Sequence, residues 1–139
     1  MATIYHQVWI NAPTAKVYEA ISTAEAIGTW WDKQTATETD TGLVLEHYPG
    51  PEHGVVKMQV LQMVQDTRVE WECISTHPKT SPASAWTGTH VMFDITAREK
   101  MAILDFRHSG WDENSEYFGF CNYGWGVALQ KLQQVCELR

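Results

Sequence analysis

Two side chains in this sequence are candidates for proton transfer and substrate orientation because of their type and position, namely His108 and Tyr117. His108 falls in phase with Leu104 and Phe106 in an alternating apolar stretch, so the pattern predicts an inward-pointing imidazole. With an ordinary pKa of about 6.5, an imidazole suits general acid/base catalysis at neutral pH. Tyr117, at the start of the following helical segment, is the candidate to orient a substrate carbonyl. Two other roles remain open for His108: a core histidine hydrogen-bonded to a neighbour, or a polar anchor inside a pocket.

The other polar residues show no recognisable catalytic or metal-binding pattern. The six histidines have no mutual spacing typical of a metal site. His47 is in phase with the apolar side of its own stretch and has the same ambiguity as His108. Glu70 and Glu72 flank Trp71 and point away from it, which indicates a solvated face and not an acid/base pair. Since nucleophile-elbow and glycine-rich phosphate-loop sequences are absent as well, we expect neither a metal nor a cofactor.

Tryptophan is frequent for this length, with seven in 139 residues, and two are adjacent in the segment GTWWDK at 28–33. Side chains this large need burial, either against core groups or in the wall of a cavity. Trp30 and Trp31 cannot point the same way on a regular backbone. Either one ring fills the core while the other covers an edge, or both line a space that is not solid core.

The charge balance argues against several classes of partner. Ten Lys and Arg against seventeen Asp and Glu give a net charge of −7, with no basic run longer than two residues, which disfavours nucleic acid and anionic membranes. No apolar run approaches the ~20 residues of a membrane-spanning helix, and the start of the chain shows no signal-peptide pattern. The three cysteines include no CxxC pair, which favours reduced thiols in the cytoplasm.

Hydrophobic periodicity divides the chain into one strand, two short helices, a run of strands and a long helix. The first strand, IYHQVWI at 4–10, ends at the segment NAP, where Pro13 suits the first position of a helix. A second short helix is predicted from Ala24 to about Trp30. Period-two alternation and then helical spacing predict strands at 42–48, 55–65, 68–75, 85–96 and 101–110, and a helix over 115–138.

Short turns between successive strands require antiparallel neighbours. We therefore expect a single α+β domain over residues 1–139, with the helices on one face of an antiparallel sheet. The long helix contains Gly119, Gly124 and Gly126, each of which costs roughly 0.5–1 kcal/mol relative to alanine. Either the helix packs closely on the sheet at these positions, or the missing side chains leave room for a ligand.

Six segments, in their order along the chain, carry a resemblance to a known family: INAPTAKVYEAIS (10–22), WW (30–31), GVV (54–56), VEWE (69–72), HSGW (108–111) and NYGWGVALQKL (122–132). Together they resemble the START-like (SRPBCC) superfamily, and within it the homologues of the activator of the 90-kDa heat-shock chaperone's ATPase. The resemblance implies a helix-grip fold, in which a curved antiparallel sheet wraps around the long C-terminal helix. Between sheet and helix it implies a hydrophobic tunnel for a lipid, sterol, polyketide or other apolar molecule.

This resemblance places Trp30 in the core and Trp31 at the cavity mouth, with an apolar wall and two polar anchors beyond it. The predicted ligand-binding residues are Trp31, Trp71, Thr89, Phe93, Phe106, His108, Tyr117 and Trp125. The segment THPKTSPASAW at 76–86 is longer than the tight hairpin usual in this branch. It is a candidate lid or partner contact.

Three functions follow as hypotheses. The first is a cytoplasmic protein that binds an apolar or amphipathic small molecule between sheet and helix. The second is a cyclase/dehydratase-like enzyme, as found among the relatives, with His108 as acid/base and Tyr117 beside it. The third is an interaction module without a ligand, such as a chaperone cofactor, in which the 76–86 segment and the outer face of strand 68–75 carry the contact.

Two points concern protein partners. The eukaryotic activator has an additional N-terminal domain that contributes much of its chaperone contact, so the resemblance alone does not imply ATPase activation by these 139 residues. A sheet edge or the tryptophan-rich face is a candidate contact for a homodimer.

Overall fold

The computed structural model describes residues 1–138, and these form seven strands, three α-helices and one short 3-10 helix. The strands are β1 (Ala2–Ile10), β2 (Thr35–Thr39), β3 (Gly42–His47), β4 (Val56–Val64), β5 (Arg68–Cys73), β6 (His90–Arg98) and β7 (Met101–Trp111). The helices are α1 (Thr14–Ser22), α2 (Ala24–Ile27) and α3 (Phe118–Glu137), and the 3-10 helix spans Pro82–Ala85.

All seven strands pair antiparallel in one sheet, in the order β1-β7-β6-β5-β4-β3-β2. From β2 to β7 each strand pairs with the next along the chain, as short connections require, and β1 closes the other edge against β7. The register of β4 shifts between Val60 and Gln62, and such irregularities bend a strand locally. The sheet is curved against the C-terminal helix, which confirms the predicted α+β helix-grip fold.

The inner face of the sheet is apolar because alternate side chains of each strand point toward the helices. In β7, Leu104, Phe106 and His108 are fully buried, and across the ladder they face the buried Val91 and Phe93 of β6. The helix α3 supplies the other half of this core with Cys121, Trp125, Ala128, Leu129, Leu132 and Cys136. Burying each large apolar side chain contributes roughly 1.5–3 kcal/mol, so this shared core holds helix and sheet together.

The outer face of the sheet carries charged side chains, as predicted for Glu70 and Glu72. Arg68 donates to Asp94 over 2.6 Å and to Glu70 over 2.9 Å, and Nδ1 of His90 lies 2.8 Å from the other carboxylate oxygen of Glu70. All these groups are partly exposed. Ion pairs in such positions contribute little to stability, so the face serves mainly to keep this side of the sheet solvated.

The strand predicted at 85–96 is wrong at its start, since β6 begins only at His90. The carbonyl oxygen of Trp86 accepts hydrogen bonds from both the backbone N–H and the hydroxyl of Thr89. Between them, Gly88 has a φ of 80°, a left-handed conformation that interrupts an extended strand. Residues 74–89 therefore form a folded loop, which we call the β5–β6 loop.

The glycines of α3 are not required by close packing of the helix on the sheet. Gly119 and Gly124 are exposed, and a Cβ added at either would meet no atom within 4 Å. A Cβ at Gly126 would lie 3.5 Å from Cε1 of His6 on β1. This is an ordinary contact distance, so close packing does not require glycine at any of the three positions. Gly126 lines a surface concavity between β1 and α3, and Gly124 lines another beside Trp30.

Candidate functional site

The space between sheet and α3 is filled by aromatic rings. Trp71, Phe93 and Phe106 are fully buried, and Trp125 is almost so. The ring centroids of Phe106 and Trp125 lie 4.6 Å apart, and those of Trp71 and Phe93 lie 5.0 Å apart. Four of the eight residues predicted to line a cavity thus pack against one another, with the tilted and edge-to-face geometries typical of aromatic cores.

His108 is a fully buried member of this core, with both ring nitrogens hydrogen-bonded. Its Nδ1 accepts from the indole N–H of Trp125 over 3.0 Å, and its Nε2 lies 2.7 Å from Oγ1 of Thr89. Because an indole nitrogen can only donate, the ring proton is on Nε2 and is donated to Thr89. The Thr89 hydroxyl donates in turn to the carbonyl oxygen of Trp86. Burial lowers the pKa of His108 to about 3, so its imidazole is neutral at pH 7.

Tyr117 lies at the start of α3 but faces the β5–β6 loop. Its hydroxyl donates to the carbonyl oxygen of Lys79 over 2.6 Å. Burial and the neighbouring Glu116 raise its pKa above the ordinary value of a phenol. In this position Tyr117 ties the loop to the end of the helix.

The two adjacent tryptophans take different environments. Trp30 is buried, and its indole N–H donates to the carbonyl oxygen of Ala20 on α1 over 2.8 Å. Trp31 is half-buried and stacks on Trp71 and Trp86, with centroids 6.0 and 6.1 Å away. Trp31 therefore forms the outer layer of the aromatic core.

Above this outer layer lies a pocket of about 210 Å³, bounded by the sheet, the first turn of α3 and the β5–β6 loop. Its lining residues are Trp31, Asp32, His47, Pro49, His53, Val56, Pro82, Ala83, Trp86, Phe120 and Cys121. The indole N–H of Trp86 donates to the thiol of Cys121 over 3.4 Å, which fixes one wall. Burial raises the pKa of Cys121, so this thiol is protonated at neutral pH.

Three polar side chains, Asp32, His47 and His53, form one corner of the pocket. Nε2 of His47 lies 3.7 Å from the carboxylate of Asp32, and its ring centroid lies 4.7 Å from that of Trp31. Burial lowers the pKa of His47 to about 4, although the nearby Asp32 acts in the opposite direction. His47 is therefore neutral at pH 7.

The β5–β6 loop is held beside this corner by side-chain hydrogen bonds. Nδ1 of His53 lies 2.6 Å from Oγ of Ser81, and that oxygen also accepts from the backbone N–H of Ala83. Nδ1 of His77 donates to the carbonyl oxygen of His53 over 2.6 Å, and its Nε2 lies 2.7 Å from the hydroxyl of Ser75. The loop thus forms a defined wall of the pocket.

Other concavities of the surface have larger volumes but fewer features of a binding site. The one between β1 and α3, of about 380 Å³, is an open surface groove in which Gln7, Gln130 and Gln133 lie beside Val8, Trp9 and Leu129. Ligand sites combine apolar and aromatic walls with a few convergent polar groups. The smaller pocket beside Trp31 meets this description better, which is why we take it as the candidate site.

Of the eight residues predicted to bind a ligand, all within the described part of the chain, only Trp31 lines this pocket. Thr89 and His108 lie in the core beneath it, and Tyr117 contacts the loop. The sequence interpretation did not include Trp86, His53, Phe120 or Ala83. The available signals were the length of segment 76–86 and the inward phase of His47.

Two further findings concern residues 1–138 alone. They contain no group of three or more His, Cys, Asp or Glu side chains that could hold a metal ion. Within the same residues, every helix is too short or too polar to cross a membrane.

Comparisons with known proteins give a consistent picture. A family model described as Activator of Hsp90 ATPase homolog 1-like protein matches residues 11–137. The structure of the Aha1 dimer from Colwellia psychrerythraea is 25% identical, with a TM-score of 0.82, covering 99% of this chain and 98% of that one. Protein MLL2253 from Mesorhizobium loti is 19% identical, with a TM-score of 0.79 and 96% of both chains covered.

A third solved structure, CalU16 from Micromonospora echinospora, is 14% identical with a TM-score of 0.74, covering 97% of this chain and 76% of that one. At this level of identity the likeness concerns the fold. No curated protein sequence matches this chain significantly.

Proposed function

Because this chain belongs to the family of Activator of Hsp90 ATPase homolog 1-like proteins and has their START-like helix-grip fold, we propose that it binds a small apolar or amphipathic molecule. The site of binding is the pocket beside Trp31 and Trp86. The observation that carries this proposal is the position of the pocket between sheet and α3, closed on one side by the β5–β6 loop.

The chemistry of the walls supports binding of a flat or short apolar body. The indole rings of Trp31 and Trp86 are nearly parallel, with an interplanar angle of 19°. Val56, Ala83 and Phe120 add further apolar surface. Burial of apolar area contributes about 25 cal/mol per Å², so even a small ligand gains affinity here from contact with these side chains.

The volume limits the size of the ligand. About 210 Å³ lies below the range of roughly 300–1,000 Å³ typical of sites for drug-sized molecules. We therefore propose a ligand of one or two aromatic rings, or a short acyl chain, and not a sterol or a long-chain lipid.

Catalysis is not part of the proposal. His108 is neutral, buried and hydrogen-bonded on both nitrogens, so it is a poor proton donor or acceptor toward a molecule in the pocket. Its role here is to satisfy the buried polar atoms of Trp125 and Thr89.

A pocket-filling substitution tests the proposal. Binding of small aromatic compounds is followed by two-dimensional NMR of the tryptophan indole N–H groups. We expect the signals of Trp31 and Trp86 to shift on binding, and Ala83→Leu to weaken affinity about tenfold or more by occupying the pocket. Ala97→Leu, at an exposed position of β6, is the matched control and should bind like the wild type. The proposal is abandoned if a broad compound set leaves both indole signals unmoved, or if the two variants bind equally well.

We also propose that the chain self-associates through α3, because the similar structure from Colwellia psychrerythraea is described as a dimer. Phe120, Tyr123 and Val127 form an exposed apolar row on the helix, which we call the α3 stripe. Residues three and four apart share one face of a helix, so the row is continuous. A chaperone partner, the third hypothesis from the sequence, has no separate support in the geometry of the described residues.

A further inference from the structure

The wall of the candidate pocket includes one side chain with a formal charge, the carboxylate of Asp32. No lysine or arginine is present among the described residues that line the pocket. The side chain of Asp32 is 50% exposed, so a molecule bound in the pocket has access to it. A single accessible charge in a mostly apolar and aromatic wall favours ligands of the opposite charge.

The carboxylate of Asp32 is not neutralised by any basic group of residues 1–138. The one basic nitrogen within 4.0 Å of it is Nε2 of His47, at 3.7 Å. His47 is neutral at pH 7 because burial holds its pKa at about 4, so this contact leaves the negative charge uncompensated. Lys131 lines the concavity beside Trp30 together with Asp32, but it forms no ion pair with this carboxylate. A cation that pairs with Asp32 therefore has to come from solution.

Aromatic rings lie beside this carboxylate. Trp31 precedes Asp32 in the chain, and its ring centroid lies 4.7 Å from that of His47, the residue that the carboxylate contacts. Trp86 stacks on Trp31 with centroids 6.1 Å apart, and Phe120, which is 67% exposed, adds a third ring on the solvent side. The quadrupole of an aromatic ring attracts cations to its face. Carboxylate and rings thus favour the same chemical group, an ammonium ion.

The charge around the pocket acts in the same direction. The carboxylate of Glu52 lies 3.3 Å from Nε2 of His53, a lining residue, although Glu52 itself is not part of the wall. The whole chain has a net charge of −7. Such a potential attracts cations and disfavours anions, so an amphipathic ligand with a carboxylate head is a poor match for this site.

We propose that the ligand of this pocket is a small amine, protonated at pH 7, whose apolar body contacts Trp31 and Trp86 and whose ammonium group pairs with the carboxylate of Asp32. This inference rests on the proposed function and adds the chemical class of the ligand, with arylalkyl amines as the simplest members. Because Asp32 is half-exposed, the ammonium group keeps part of its hydration and avoids the full desolvation cost of a buried ion pair. Asp32 is then the residue that selects cationic ligands.

Three probes that share one ring system and differ in charge test this assignment. Binding of 2-naphthylmethylamine, 2-naphthylmethanol and 2-naphthoate, which are cationic, neutral and anionic at pH 7, is compared by isothermal titration calorimetry. We expect the amine to bind about fivefold more tightly than the alcohol, as an exposed ion pair beside aromatic rings allows. The carboxylate should bind most weakly of the three.

Two variants separate contact with Asp32 from the general charge of the surface. Asp32→Asn keeps the size of the side chain and removes its charge. In this variant the affinity for the amine should fall to that for the alcohol, whose own affinity stays unchanged. Glu52→Gln is the matched control, because it removes a charge of the same sign near the pocket without altering a lining residue, and it should keep the preference for the amine.

An independent readout uses the wild-type protein alone. The side-chain carboxyl ¹³C resonance of Asp32 should move further with the amine than with the alcohol, because the shared ring system affects this resonance similarly in both complexes. This readout decides the question even if Asp32→Asn does not fold.

The outcomes distinguish this inference from the function on which it rests. Equal binding of amine and alcohol to the wild type overturns the assignment of Asp32 and leaves the proposed function standing. A preference for the amine that survives in Asp32→Asn, or that falls as much in Glu52→Gln, also overturns it, because the attraction would then come from the charge of the whole surface. If none of the three probes binds, and no other small aromatic compound does so, the proposed function fails and this inference fails with it.

Discussion

His108 and His47 are neutral in the folded protein at pH 7, because burial lowers their pKa values to about 3 and about 4. In the unfolded chain both return to about 6.5, so between these values the unfolded state binds more protons than the folded one. Stability is therefore complete above pH 6.5 and falls as the pH decreases toward 4. Each histidine contributes a slope of up to about 1.4 kcal/mol per pH unit in this range.

This linkage is measurable by urea unfolding between pH 7 and pH 5, where carboxylates contribute little. His108→Gln keeps groups that can accept from Trp125 and donate to Thr89. We expect this substitution to reduce the pH dependence of the free energy of unfolding by the contribution of one histidine. His47→Gln should reduce the slope by the contribution of a second histidine, and the double variant should have the smallest slope of the four proteins. A slope in His108→Gln equal to that of the wild type would mean that His108 is protonated in the fold, contrary to its hydrogen bonding.

For a single residue, the sequence predicts whether the side chain points inward better than it predicts which groups surround it. Alternation along β7 places His108 inward, and the structure agrees. Whether an inward histidine meets a cavity or a packed core depends on side chains from distant segments. Here Trp125 from α3 and Thr89 from the β5–β6 loop occupy its two nitrogens. No local pattern around residue 108 contains that information, which is why a core role, a pocket anchor and a catalytic role all stayed open.

In the helix α3, two glycines offer a test of element stability that is independent of any ligand. A methyl group at Gly119 or Gly124 meets no atom within 4 Å, and both residues lie within the helix. Alanine loses less backbone entropy on folding than glycine, so Gly119→Ala and Gly124→Ala should each raise the free energy of unfolding by about 0.5–1 kcal/mol. Thermal and urea unfolding measure this change.

The matched control for these substitutions lies in the β5–β6 loop. A Cβ at Gly88 also meets no atom within 4 Å, but this residue has a φ of 80°. Alanine is strained in that left-handed region, so Gly88→Ala should lower stability by about 1 kcal/mol. If both helix substitutions instead lower stability, Gly119 and Gly124 are required for a reason other than contacts within the folded chain.

The β5–β6 loop shows where element prediction fails. Its last residues were assigned to a strand as an extension of the alternating stretch that contains residues 91, 93 and 95. The loop is instead folded by non-local and side-chain contacts, such as the bond from Trp86 to Cys121 and the bond between Ser81 and His53. These contacts bring Trp86 to the pocket, so the strand error and the omission of Trp86 from the site have one cause.

For the whole molecule, element order was sufficient to predict the architecture. The predicted order is one strand, two short helices, a run of strands with short turns and a long apolar helix. Few arrangements of these elements bury the apolar face of α3 that carries Trp125 and Leu129. The expected tunnel between sheet and helix depends instead on volume, which is a sum over all side chains facing inward. Trp71, Trp125, Phe93 and Phe106 are buried and pack against one another in that space, and the candidate pocket lies at its rim beside Trp31.

Self-association is the last property to test at the scale of the whole molecule. Phe120 and Tyr123 in the α3 stripe are 67% and 75% exposed, which is costly for aromatic rings unless a partner covers them. We expect light scattering after gel filtration to give twice the 15.9 kDa of one chain, measured at 150 mM salt so that repulsion between chains of charge −7 is screened. Tyr123→Lys should give monomers, because a twofold contact through the stripe would bring the new charges of both copies together. Tyr48→Lys, at another tyrosine that is 60% exposed, controls for the loss of an aromatic surface group and should remain dimeric.

Dimers in both variants would move the interface to a sheet edge such as β2, whose five residues are all exposed. Because Phe120 belongs to both the stripe and the pocket wall, a dimer through α3 would also bring the second copy to the mouth of the binding site.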